Sequence, residues 1–236
     1  MKDKLAMARI GVLGLLCAIS AGSMIAQQNR VEPRGLFVWG DSVMVLGAVQ
    51  GCQGAYDPMQ AMVSRDEGKT WHATGPHTVG LSRDFVLDTG TELLIAGENI
   101  IEGPAHEPFL HVYRYAVEQW DEFEILSGST ELSALALETK TGRLLAWIRH
   151  VELSDDGWSG PLFLHESVDG GKSWREVKKV ARVPASRAGL QFFQRFADQR
   201  GPWRIVRDEH SARLERTDNK QWRTVELPAM ACEQQD

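Results

Sequence analysis

Two stretches of this chain decide its architecture: Ser64-Arg65-Asp66-Glu67-Gly68-Lys69-Thr70-Trp71 and Ser167-Val168-Asp169-Gly170-Gly171-Lys172-Ser173-Trp174. Both read S-x-D-x-G-K-[T/S]-W. Each follows a short alternating run (Gln60 to Val63; Leu162 to Glu166) and precedes another (His72 to Thr74; Arg175 to Val177). That is the pattern of a β-hairpin. An Asp in such a turn accepts N–H bonds from its own loop, and Gly supplies a positive φ. Ser and Thr hydroxyls tie off further backbone groups, and the Trp anchors the loop by burying a large apolar surface. Ser64, Asp66, Gly68, Thr70 and Trp71, with Ser167, Asp169, Gly171, Ser173 and Trp174, are therefore read as structural staples.

Working outward, two weaker copies continue the series: Tyr115-Ala-Val-Glu-Gln-Trp120 and Arg216-Thr-Asp-Asn-Lys-Gln-Trp222. They keep the strand–turn–Trp outline without the full Ser, Asp and Gly set. Trp71, Trp120, Trp174 and Trp222 are 49, 54 and 48 residues apart, a period that signals repeated supersecondary units. Each repeat divides into four strand-like runs. They are Leu36–Gly40, Val43–Val49, Gln60–Ser64 and Thr70–Thr74, then Asp84–Asp88, Glu92–Gly97, Leu110–Tyr115 and Trp120–Leu126. The third set is Leu132–Glu138, Arg143–His150, Leu162–Glu166 and Ser173–Val177. The fourth is Gln191–Ala197, Trp203–Arg207, Arg213–Arg216 and Trp222–Leu227. No stretch carries helical periodicity over ten residues.

The S-x-D-x-G-K-[T/S]-W segments resemble the Asp-box, or BNR repeat, of sialidase-like β-propellers. The resemblance implies that each box joins the two outer strands of a blade, on the face away from the ligand site. Asp66 and Asp169 therefore take no catalytic role. The expected fold is all-β, a β-propeller with four blades of four antiparallel strands, closed or left as an incomplete ring. The blades fall at about residues 34–76, 82–127, 131–180 and 189–228 of a domain covering 27–236.

Residues 1–26 read as a signal peptide. Lys2, Lys4 and Arg9 precede the apolar run Ile10 to Ala21, and small residues allow cleavage after Ser23 or Ala26. The expected location is exported, periplasmic or secreted, with no transmembrane segment. Cys17 leaves with the leader, so Cys52 and Cys232 are expected to pair in an oxidising compartment. That bond would link the first blade to the last. A formal charge of −6 and a pI near 5.7 argue against nucleic-acid binding through bulk positive charge.

In the resembling family, ligand sites lie among the loops from second to third strand and the connections between blades. Here those segments supply Tyr56, Asp57, Glu98, Glu102, Asp155, Asp156 and Trp158, with Arg83 and Arg187 near the starts of first strands. Carboxylates and aromatics on one rim suit a polar ligand with a stackable face. The Arg-Ile-Pro motif and convincing Tyr nucleophile of sialidases are missing, and no other catalytic motif is present. No metal site or cofactor is expected, and His72 and His165 read as satisfied structural histidines on blade strands. The sequence thus points to an exported, non-catalytic propeller binding a glycan, peptide or protein partner. The alternative is a sialidase-like glycoside hydrolase using the loop carboxylates.

Overall fold

The computed structural model describes residues 30–50, 59–78, 81–102, 105–154 and 157–230. Its first blade is β1 (Val31–Trp39), β2 (Ser42–Val49), β3 (Met59–Ser64) and β4 (His72–Thr78), paired in that order. The second is β5 (Leu81–Asp88), β6 (Glu92–Glu102), β7 (Ala105–Arg114) and β8 (Gln119–Glu124), antiparallel throughout. The third has β9 (Thr130–Glu138) and β10 (Arg143–His150), then a small hairpin of β11 (Glu152–Ser154) and β12 (Gly157–Ser159). It ends with β13 (Leu162–Ser167) and β14 (Arg175–Val180). After β15 (Leu190–Phe192), the fourth blade is β16 (Gln199–Arg200), β17 (Trp203–Arg207), β18 (Ala212–Asp218) and β19 (Gln221–Val225). No helix long and apolar enough to cross a membrane occurs among the described residues.

The two full S-x-D-x-G-K-[T/S]-W turns form the same hydrogen-bond set. Asp66 Oδ1 accepts from the Thr70 amide at 2.8 Å, and Oδ2 from the Thr70 hydroxyl at 2.6 Å. Ser64 Oγ accepts from Gly68 N at 2.8 Å, and Trp71 Nε1 donates to Gly68 O at 3.2 Å. In the third blade Ser167, Asp169, Gly171, Ser173 and Trp174 repeat each bond within a few tenths of an ångström. The hydroxyl and amide of Thr70 hold Asp66 down at about 2, and those of Ser173 do the same for Asp169. Gly171 sits at φ +95°, and a β-carbon there would lie 2.4 Å from Leu110 Cδ2. Both the conformation and the close approach to the second blade require glycine.

The blades are held face to face by apolar clusters. Leu94, Ala96, Leu110 and Val112 of the second blade pack on Leu135, Leu144, Ala146 and Ile148 of the third. Phe37, Met44, Leu46 and Val63 of the first meet Leu93, Ile95 and Tyr113 of the second. Leu36, Val43 and Val45 of the first meet Trp203, Ile205, Ala212 and Leu214 of the fourth. The spatial order is therefore four, one, two, three. None of these clusters joins the third blade to the fourth, so the described blades make an open arc. The repeat tryptophans follow the same rotation. Trp174 packs toward blade two, Trp120 toward blade one, and Trp71 edge-on against Trp203 of blade four at 6.2 Å.

The sequence reading placed the first strand of blade four at Gln191–Ala197. The structure corrects this. Residues 190–198 run along the inner strands of the other three blades in turn. Leu190–Phe192 pair with β9, and Gln194 exchanges two backbone bonds with Val86 of β5, at 2.8 and 3.0 Å. Phe196 then lies against Gly35 of β1. Asp198 finally accepts a bond from Ile205 N at 2.7 Å, delivering the chain to blade four. The inner strand of that blade is the two-residue β16.

Both ends of the arc are covered from within, although an open ring is expected to expose sheet faces that neighbouring blades would otherwise bury. On blade three the outer face carries Ala134, Ala136, Leu145, Trp147 and Leu162. Val183, Leu190 and Phe192 of the onward chain fold over it, with Phe192 stacked on Trp147 at 5.5 Å. On blade four the outer face is polar. Glu215 accepts from Arg204 Nε at 2.8 Å and Arg213 Nε at 2.9 Å, and the Arg204 guanidinium lies 4.0 Å from the Trp222 ring centroid. Trp222, the one repeat tryptophan with no following blade to pack on, is covered by a cation instead.

Candidate functional site

The ends of the second strands, the starts of the third strands and the starts of the first strands lie along one rim of the arc, here the loop end, and the S-x-D-x-G-K-[T/S]-W turns lie along the other. Two hairpins belong to the first end. β6 and β7 pair out to Glu102 and Ala105, and they reach the third blade through a bridge between His106 and Thr130. The Thr130 hydroxyl donates to His106 O at 2.8 Å, fastening that contact. The β11–β12 hairpin stands beyond the sheet of blade three, with Leu153 in register with Trp158. Leu153 is 66% exposed, a large apolar side chain left in water.

The predicted site residues divide accordingly. Glu98 and Glu102 lie on β6, Trp158 on β12 and Arg83 on β5, all toward the loop end. Tyr56, Asp57, Asp155 and Asp156 lie outside the described residues, as do Cys52 and Cys232 and the leader 1–26. Arg187 is a correction. The Gly189 carbonyl accepts from Thr139 N, and Arg187 bears electrostatically on Glu138, so it sits beside the β9–β10 turn at the opposite end. It was misplaced because its neighbours were read as the opening strand of blade four.

Several carboxylates at the loop end are engaged inside their own blades. His106 Nδ1 lies 2.7 Å from Glu98 Oε2 across the hairpin. Glu32 accepts from Arg34 at 2.8 Å, and Arg149 Nε stands 3.3 Å from Glu131. Asp208 accepts from His210 N and Ser211 N within its own turn, which lowers its pKa. Arg207 ties this end across blades, donating to Pro33 O at 3.3 Å and Arg34 O at 2.9 Å. These carbonyls lie at the β-bulge between Pro33 and Gly35.

Two features escaped the sequence. The first is the β11–β12 hairpin, whose Gly and Asp residues read as an irregular loop. The second is the set His150, His165 and Glu176, which can each offer one ligand atom within 4.8 Å of the others. His165 is buried, yet its Nδ1 has no hydrogen-bond partner, so it is not the satisfied structural histidine expected. A pairing of His165 with Glu176 becomes visible only when the strand register is known.

No protein-family model and no curated protein matches the chain. Among solved structures it is similar to an α-L-arabinanase of Penicillium chrysogenum complexed with arabinobiose, at 14% identity and a TM-score of 0.40. That match covers 84% of this chain and 62% of the other. It is also similar to Trypanosoma rangeli sialidase (12% identity, TM-score 0.35, 83% of this chain and 38% of that one). An exo-inulinase from Aspergillus awamori matches at 9% identity and a TM-score of 0.34, over 87% and 52% of the two chains. The chain spans less than two thirds of the length of each.

Proposed function

We propose that this chain is an exported, non-catalytic binding propeller of the Asp-box, sialidase-like kind, which holds a glycan or protein partner at its loop end. The Asp-box assignment is supported by the matched hydrogen bonds of the two S-x-D-x-G-K-[T/S]-W turns. Leu153 carries the binding reading. It is a large apolar side chain two-thirds exposed on a projecting hairpin, paired in register with Trp158. Exposed apolar groups on a projecting element suit partner recognition, and aromatics suit stacking on a sugar face. Glu98 of blade two is committed to His106, an arrangement that orients the β6–β7 hairpin.

The test is a binding screen of purified protein against a glycan panel, run beside a turnover assay on aryl glycosides. Saturable binding without turnover is expected, weakened about tenfold or more by Leu153→Ser. Turnover that falls in Glu98→Ala would overturn the reading in favour of a glycoside hydrolase. Binding unchanged in Leu153→Ser would remove the hairpin from the site.

A further inference from the structure

We propose that His150, His165 and Glu176 form a binding site for a divalent transition-metal ion such as Zn2+. The three residues come from successive strands of blade three. His150 ends β10, His165 lies in β13, and Glu176 lies in β14 directly opposite His165. His165 is also in register with Ala146, a member of the core between blades two and three. Residues paired across antiparallel strands share a face. His165 and Glu176 therefore both project from the side of blade three that meets blade two.

Geometry and chemistry agree on a metal. One ligand atom from each residue lies within 4.8 Å of the other two. Ligands bound to one Zn2+ at about 2.0–2.2 Å stand roughly 3.3 Å apart, so side-chain rotations of about 1 Å close the set. His150 Nε2 and His165 Nδ1 are both buried without a hydrogen-bond partner. Buried ring nitrogens are ordinarily bonded, and two orphans in one cluster call for an acceptor of their lone pairs. The imidazoles lie nearly parallel, at 19° with centroids 6.3 Å apart, and Phe163 packs edge-on to His150 at 4.9 Å. The His150 ring is thus held before any ion arrives.

The donor set selects the ion. Two neutral imidazoles and one carboxylate give a net charge of −1 and a borderline-soft nitrogen-rich site. That favours zinc, copper, nickel or iron over magnesium and calcium, which prefer oxygen alone. Three protein ligands leave a coordination position for water or for a further group. Glu176 is exposed, so the ion has a route in from solvent. Bound metal would cross-link β10, β13 and β14.

The experiment uses the full chain, stripped with chelator and free of any affinity tag, titrated with Zn2+ by calorimetry and with Co2+ by visible absorption. One equivalent of Zn2+ is expected, with Co2+ bands of low coordination number and a higher thermal midpoint in saturating Zn2+. His150→Phe keeps the ring packed against Phe163 and should weaken Zn2+ binding about a hundredfold. Glu176→Gln, at an exposed position, should weaken it about tenfold. Should His150→Phe fail to fold, Glu176→Gln alone decides. Absence of stoichiometric binding, or affinity unchanged in the variants that fold, overturns the proposal.

Discussion

The ring of Phe196 fills the space that a side chain at position 35 would need: a β-carbon on Gly35 would lie 2.4 Å from Phe196 Cδ2. The same ring meets Phe37 edge-on at 5.3 Å and is 8% exposed. The segment crossing from blade three to blade four is thus locked to β1 by one aromatic against one missing side chain.

Gly35→Ala should destabilise the fold by about 1–3 kcal/mol through overpacking, since a phenyl ring cannot step aside inside a packed core. Phe196→Ala should cost about 3–5 kcal/mol. Denaturant midpoints measure both. If the two costs add in the double variant, the contact is not the source of the strain.

The turn aspartates give stability an acid limb. Asp66 and Asp169 fall from a usual value of 3.8 to about 2 in the fold. A lowered carboxylate contributes stability that is complete above its unfolded value and lost as pH falls through the folded one. The loss should therefore lie between about pH 4 and 2. Asp66→Asn and Asp169→Asn should reduce stability at neutral pH and flatten this limb in urea titrations across pH.

His111 sets a second, higher window. Burial pushes it down to about 4 from 6.5, despite Glu122 Oε2 lying 3.3 Å away. Neither ring nitrogen has a hydrogen-bond partner. A histidine that is harder to protonate when folded supports the fold fully above its unfolded value, and that support declines as pH falls from 6.5 to 4. His111→Phe should remove the slope in this window while leaving the lower one in place.

The polar end of the arc should resist association. Replacing Glu215 by Leu leaves Arg204 and Arg213 without their shared carboxylate and joins an apolar group to the Val206 and Trp222 side of the blade. Glu215→Leu should raise the sedimentation coefficient with concentration relative to the parent chain, as an uncovered sheet face finds a second copy. An unchanged profile would show that Trp222 and Arg204 suffice as a cover.

Covering the other end is the work of Phe192. Phe192→Ala should cost about 2–3 kcal/mol, below the figure for a fully buried ring because Phe192 keeps some exposure. Loss of its stack should also shift Trp147 emission to longer wavelength. An unmoved spectrum would mean that Val183 and Leu190 alone keep water from the indole.

The Trp71–Trp120–Trp174–Trp222 spacing made the blades legible, because a strand–turn–Trp outline recurs in each unit and the full eight-residue staple in blades one and three. Strand runs in blades one to three agree with the structure for the same reason, each pairing with a chain neighbour. Residues 191–197 were misread although their strand character is real. Their partners are β9 and β5, from other blades, and Phe192, Phe193 and Phe196 enter three different cores. Alternation reports that a segment is extended and half-buried, never which distant strand it joins. The His150, His165 and Glu176 set was hidden likewise, since it depends on a register that spans a 27-residue stretch. Glu98 was found as a loop-end carboxylate, but its partner His106 was not, because hairpin length alone brings them together.

An ordinary repeat array frays from its ends, because each unit is coupled only to the next. Residues 190–198 abolish that independence, since one extended segment is bonded to blades three and two, wedged into blade one and continuous with blade four. Detaching any blade means breaking a strand that the others also hold. Melting should therefore be all-or-none, with calorimetric and van't Hoff enthalpies equal. The fourth blade should also fold last, its amides gaining protection after those of the first three in pulsed hydrogen exchange, because its path across the arc runs over the other blades.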